Sequence, residues 1–511
     1  MEGNPSYAPP PGPPPTYGKE SYNPSGDPER AAPTYKQTFA QAFKIEKQRY
    51  NDKWAGILFI IVFLGYAALS GIVINQYREF HHFSGGGIYS GANDFSLNTN
   101  TLILFAFIIA TAFAISWLYF CMAMLFPKTF IWVTGITNII FGFGTAIYYI
   151  KRGQYAGGIV LLIFAVLGLL AFIAWIPRIP FSAVMLKTSG YISRHFGHMW
   201  LVSGIGGFIG LALSAWLSTT LVAIYVTFEP GRADKPNPSC KTRYGCSSAK
   251  VIGCIVAATF AAYWISEWLK YTMYTTTAGI YGSWYFYAGK ACGFPIHATR
   301  GALRRATTYS FGSVSLGSLI LAVINTVRQL CSIAQDKARE DDNIVGCVAA
   351  CILGCIVQMI QAAAEFFNRY AYAHIALYGK RYIAAARDTQ TMLNDRGFDA
   401  IANDCLVGPV ISMGAVFVAY LCTLLSYLYL QFTKPAYNHN GKFTPLVMAF
   451  AFVIGLQVCQ IFMTPISSGV DTLFVGMAWD PQVMLYEHPE VAAELAEVYP
   501  DLGRRLQQPR E

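Results

Sequence analysis

Apolar residues in this chain fall into long runs, separated by short stretches rich in glycine, proline and charge. A helix needs roughly 20 predominantly apolar residues to cross a hydrocarbon layer about 30 Å thick, and its backbone groups must find partners within the segment. Ten runs qualify: 54–74, 101–126, 129–150, 156–176, 199–228, 251–286, 306–331, 344–378, 406–432 and 444–476. The pattern predicts an all-α, polytopic transmembrane bundle of about ten spans over residues 54–476. Gly206 with Gly210, and Ser313 with Gly317, are small residues at helical spacing and predict close helix approach. Pro409 and Pro465 fall inside predicted spans and are candidates for kinks.

The flanks differ in kind. Residues 1–35 are polar and proline-rich, too poor in apolar groups to offset the entropy of ordering, and read as a disordered tail with local polyproline II character. Residues 36–53 read as a short amphipathic basic helix leading to the membrane, with Lys44, Lys47, Arg49 and Lys53 at its surface. Residues 477–511 read as a C-terminal tail. No cleavable signal sequence is recognisable, which makes the first span the expected targeting signal.

Composition supports the membrane class. Of 511 residues, 54% are hydrophobic and only 13% charged, too little charge to coat a soluble surface of this size. The net charge of +9 bears on topology. An even number of spans puts both termini on one side. If that side is the cytoplasm, the inward loops hold Lys128, Arg178, Lys187, Arg194, Lys290, Arg300, Arg304, Arg305, Lys380, Arg381, Arg387 and Arg396, as the positive-inside rule requires. No aromatic-interleaved basic patch points to nucleic acid. Cys240 and Cys246 stand six positions apart in the polar loop "FEPGRADKPNPSCKTRYGCSSAK", close enough for a small-loop disulfide if that loop faces an oxidising space.

The candidate chemistry centres on "YWISEWLKYTMYTTTAGIYGSWYF", residues 263–286. On a helix, Trp264, Glu267, Trp268 and Tyr271 are spaced i, i+3, i+4 and i+7 and share one face, an aromatic wall with one acid in it. A quaternary ammonium has no N–H to donate, so proteins hold it by ring quadrupoles and a nearby negative charge, each ring contributing roughly 0.5–2 kcal/mol. Tyr281 and Trp284 extend the set of rings, and Asp471 adds a second acid. A carboxylate near mid-membrane costs roughly 2.5–3.5 kcal/mol, so Glu267 is expected at a wet or paired site. The same residues also suit plainer roles: interfacial anchoring of Trp and Tyr, and a Glu267–Lys270 pair at i, i+3. Glu365, Asn368 and Tyr372 share another face, as interhelical hydrogen-bonding groups or as ligand contacts.

Other chemistry is not indicated. Cys347, Cys351 and Cys355 lack the further ligands a zinc site needs, His195 and His198 form a lone pair, and no phosphate-binding loop, potassium filter or arginine ladder occurs. No clustered nucleophile, base or metal set suggests an enzyme, and no cofactor is expected. In the tail, "PPPTY" carries the P-P-x-Y pattern at Pro14, Pro15, Thr16 and Tyr17, which makes a ubiquitin ligase with WW domains a candidate partner.

Several longer stretches taken together resemble one family: "AAYWISEWLKYTMYTTTAGIYGSWYF", "SFGSVSLGSLILAVINTVRQL", "FNRYAYAHIALYGKRYIAAARD" and "VDTLFVGMAWDP". In consistent order from about residue 54 to 480, the chain resembles the choline transporter-like proteins, particularly the fungal branch called pH-nine-sensitive. The resemblance implies a ten-span plasma-membrane protein whose relatives move choline or related cations, with no catalytic residues. The expected function is facilitated, potential-driven transport of a small organic cation by alternating access, with membrane lipids as the other partners. Its rivals are a membrane scaffold recruiting partners through the tail, and a protein handling choline-headgroup lipids.

Overall fold

The computed structural model describes residues 37–44, 49–80 and 99–506, apart from short stretches at 152, 154, 197, 229, 233–234, 237–239, 241–244, 291–292, 341–343, 396, 398–400, 402–404, 436–437, 439–440 and 442–443. The tail 1–35, with Pro14, Pro15 and Tyr17, lies outside the described residues.

Helices dominate. In chain order they are α1 (Phe39–Ala42), α2 (Lys53–Phe80), α3 (Thr99–Leu125), α4 (Pro127–Lys151), α5 (Tyr155–Trp175), α6 (Ile179–His195), α7 (Met199–Phe228), α8 (Ser248–Tyr287) and α9 (Ala298–Thr307). Then follow α10 (Phe311–Glu340), α11 (Ile344–Tyr378), α12 (Tyr382–Asp395), α13 (Val407–Thr433), α14 (Thr444–Trp479), α15 (Pro481–Glu487), α16 (Pro489–Val498) and α17 (Pro500–Leu506). Among the described residues, nine segments are long and apolar enough to cross a membrane, and α11, 35 residues long, packs on both α10 and α8. This is the all-α polytopic bundle that the apolar runs predict. The loop between α7 and α8 holds a two-residue antiparallel pair, Gly231–Arg232 with Lys235–Pro236, and Cys240 is joined to Cys246 across it.

Two long helices form the axis. α8 packs on α7, α10, α11 and α14, while α14 also packs on α3 and α13, and α4 with α5 forms an outer pair. The core follows α14 through Val458, Phe462, Ile466 and Leu473, all buried. By contrast α5 leaves Ile163, Phe164, Leu167 and Leu170 uncovered, the expected state of a lipid-facing helix. Close approach occurs where small residues predict it. A Cβ on Gly206 would overlap the Met273 thioether, one on Gly210 would lie 2.6 Å from Ile461 Cδ1, and one on Gly317 would overlap the Tyr372 ring.

One end of the bundle carries a cap of short helices where loops and tails were expected. α6 continues α5 through a tight turn at Ile176–Arg178 and buries Phe181, Met185 and Ile192. The helices α9 and α12 fill the turns after α8 and α11, and α15 to α17 fold back beneath α6 and α8. Each of these last three begins on a proline, whose missing N–H is unpaired in a first helical turn anyway. The C-terminal segment is therefore packed rather than loose through Leu506. Residues 36–53, expected as an amphipathic helix, are described in part, at 37–44 and 49–53. Among the described residues of that stretch, Phe39–Ala42 forms one short helical turn and Lys53 begins α2, and Phe39 and Phe43 are buried against the cap because two rings four residues apart find apolar cover there. Pro409 stands in the first turn of α13 and kinks nothing, whereas Pro465 lies inside α14.

Candidate functional site

The face of α8 that carries Trp264, Glu267, Trp268 and Tyr271 meets other helices. Trp264 is 1% exposed; its Nε1–H donates to the Ser315 carbonyl of α10 at 3.0 Å, and its ring stands edge-on to Phe59 of α2. Trp268 packs against Phe59 and Phe311, and its buried Nε1 meets no hydrogen-bond partner among the described residues. Tyr271 stacks on Tyr372 of α11 with centroids 4.4 Å apart. Glu267 accepts from Lys270 at 3.3 Å and from Asn325 of α10 at 3.4 Å. Lys270 also lies over the Tyr271 ring, 5.1 Å from its centroid. The acid and ring suited to an organic cation thus already hold one, the chain's own ammonium. Tethered to the same helix, it competes at a high effective concentration.

The remaining candidates divide between framework and buried charge. Asn368 donates to the Gly317 carbonyl at 3.3 Å and accepts from the Tyr382 hydroxyl, tying α10, α11 and α12 together. Glu365 accepts from Gln361 at 2.9 Å, one turn away. Tyr281 and Trp284 belong to the capped end: the Tyr281 hydroxyl bonds Ser189 of α6, and the Trp284 ring stacks on His488, centroids 3.9 Å apart. Asp471 is buried and accepts from the Tyr274 hydroxyl at 2.6 Å. With Arg369 it borders a cavity of about 20 Å³, room for about one water. A quaternary amine does not fit there in this conformation.

A larger cavity, about 300 Å³, lies in the half of the bundle away from the cap. It opens between α2, α7, α8, α10 and α14. Tyr66, Trp216, Tyr263 and Phe450 bring aromatic surface, and Ser266 and Gln457, hydrogen-bonded to each other at 2.9 Å, bring polar atoms. Its size suits a small ligand site. None of the candidate binding residues named from sequence lines it, although Gly210 does, and Glu267 follows Ser266 directly and stands one turn below Tyr263. The cavity ends on a tight apolar cluster of Leu269, Met273 and Ile461, where the glycines of α7 let the helices close. Beyond that closure α14 passes Pro465 and reaches Asp471. Tyr66, Trp216 and Phe450 come from three different helices with no shared spacing, so no periodicity along the chain could have assembled them.

The sequence model of the family described as plasma-membrane choline transporter matches residues 159–482. The chain is 56% identical over 503 residues to protein pns1 of Aspergillus fumigatus, covering 98% of this chain and 90% of that one. It is 53% identical over 465 residues to protein PNS1 of Gibberella zeae, covering 91% and 85%. With protein PNS1 of Saccharomyces cerevisiae the identity is 35% over 477 residues, covering 92% and 88%.

Proposed function

The chain belongs to the plasma-membrane choline transporter family, and from that premise we propose that it carries choline or a related quaternary amine across the plasma membrane by alternating access. At family level it is a multi-pass membrane transporter. The observation that carries the finer reading is the 300 Å³ cavity, with ring surface from Tyr66, Trp216, Tyr263 and Phe450 and only a few polar groups. Such a lining receives a trimethylammonium group, which offers no N–H and is held by ring faces. Trp264 and Trp268 serve as framework. Glu267 and Asp471 stand along the route, each with a cation of the chain beside it, Lys270 and Arg369. The capped end, rich in Arg and Lys, faces the cytoplasm.

No coupling ion is needed for uptake. A monovalent cation gains about 2.3 kcal/mol per 100 mV on entering a negative interior, roughly a fifty-fold accumulation. The test is labelled choline uptake into liposomes holding the purified protein, with the potential set by ion gradients. Uptake should rise with inside-negative potential, and Tyr263→Ala and Trp216→Ala should raise KM several-fold. Flux that ignores both the potential and these rings refutes the proposal. The many aliphatic residues in the cavity, among them Leu213, Leu217, Ile255 and Val453, favour a choline-headgroup lipid as the second reading. Scrambling of labelled phosphatidylcholine without choline flux would select it.

A further inference from the structure

Residues 37–43 cross the capped end of the bundle and are tied to three elements at once. Ile296 N–H donates to the Gln37 carbonyl at 2.9 Å, and Thr38 forms a parallel bridge with Ile296 just before α9. Phe39 rests so closely on α9 that a Cβ added to Gly301 would lie 2.6 Å from its own Cβ. The Tyr287 hydroxyl, at the end of α8, donates to the Ala42 carbonyl at 2.5 Å. Arg305 of α9 joins the third element. Its Nη1 donates to the Ala376 and Leu377 carbonyls at 3.0 and 3.1 Å, its Nη2 donates to the Phe43 carbonyl at 2.6 Å, and its guanidinium lies 4.7 Å from the Phe39 ring centroid.

These contacts have a common geometry. The last turns of α8 and α11 leave carbonyls that the helices themselves cannot satisfy, and Arg305 bridges the α11 carbonyls to the N-terminal segment. Phe39 and Phe43 fill the seam between α9 and the end of α8, with the Phe43 ring edge-on to Tyr287, centroids 5.3 Å apart. Phe39, Phe43, Phe286 and Tyr287 are all buried, so the conformation described is closed at the seam of α8, α9 and α11; a cleft of about 460 Å³ at the same end, bordered by Lys187, Trp284, His488 and Glu494, lies instead on the side of α6 and α16. Opening it means parting α8, α9 and α11, and the segment spans all three.

We propose that residues 37–43 are a latch, whose docking on Tyr287, Gly301 and Arg305 holds the capped end shut and whose release is a step in opening it. The latch rests on the alternating-access reading for its purpose but not for its detection. Amide hydrogen exchange of the full-length protein in lipid nanodiscs reads the ends of α8 and α11, residues 280–287 and 371–378, with residues 251–262 as an internal control. In Phe39→Ala/Phe43→Ala, exchange at both ends should quicken by at least about tenfold, with the control unchanged. Tyr287→Phe keeps the ring and removes only the hydroxyl, so it should move the same peptides less. If the double variant loosens the control as well, the fold itself has yielded, and Tyr287→Phe decides alone. Unchanged exchange at the ends of α8 and α11 overturns the latch, even if residues 37–43 become exposed. Wild-type protein that moves no amine would sink the transport reading, while the exchange result would still decide the latch.

Discussion

Trp264 separates two views of the α8 aromatic face. As framework, its indole is a packing group with one hydrogen bond to Ser315; as a substrate ring, it would line the transport route. Truncation to alanine costs about 3–5 kcal/mol in a water-soluble core. In a bilayer the unfolded reference keeps its side chains in lipid, so little of the transfer part survives, and the loss falls toward about 2–3 kcal/mol of cavity and contact energy. The Nε1 hydrogen bond adds about 0.6 kcal/mol, the average for interhelical bonds in membranes. Trp264→Ala should therefore lower the melting temperature and the folded yield steeply. Trp264→Phe should recover most of that loss, and the molecules that remain folded should keep their KM for choline. Thermal melting in detergent and saturation uptake in liposomes measure the two effects independently. A Trp264→Phe protein that melts like wild type but needs tenfold more choline for half-saturation would refute the assignment.

Other consequences can be measured in the same preparations. Asp471→Asn leaves Tyr274 an acceptor but strands Arg369, so both stability and uptake should fall; adding Arg369→Gln should restore the melting temperature without restoring uptake. Burial against Trp284 holds the His488 imidazole below its ordinary pKa of 6.5, so it stays neutral, its Nε2–H placed to donate to the Tyr285 carbonyl at 3.1 Å. The unfolded imidazole takes up its proton first as pH falls. Docking of α15 and α16 should accordingly weaken below about pH 6.5, seen as faster proteolysis within 481–498 and flattened by His488→Gln. Cys240→Ser/Cys246→Ser should cost about 2 kcal/mol or less, as expected for so short a loop, and should leave choline uptake unchanged. Loss of uptake in that variant would show that the loop takes part in transport.

The spans were legible because hydropathy reports burial in lipid directly. The runs 199–228 and 344–378 coincide with α7 and α11, and the others match to within a few residues except at α2 and α10, which extend further into polar sequence. The cap was not legible in the same way. α9, "ATRGALRRAT", carries three arginines in ten residues and reads as a charged loop until Arg305 is seen buried among the carbonyls of α11 and the N-terminal segment. Periodicity correctly grouped Trp264, Glu267, Trp268 and Tyr271 on one face, but a face has no label for what it meets. Here it meets α2, α10 and α11, and the carboxylate meets Lys270, a cation three residues along the same helix. Tyr263 and Ser266 sat in the same stretch, turned by a fraction of a turn toward the cavity.

Pro465 gives α14 a property that its neighbours lack. Having no N–H, it cannot complete the rung to the carbonyl of Ile461, the residue on which the ring-lined cavity ends. Above the missing rung α14 carries Phe450, Val453 and Gln457 along the cavity; below it the helix carries Asp471. A rod weakened at one joint bends there before it bends elsewhere, so its two limbs can swing apart while each stays straight. Pro465→Ala would fuse them, trading a slower turnover for a sturdier molecule.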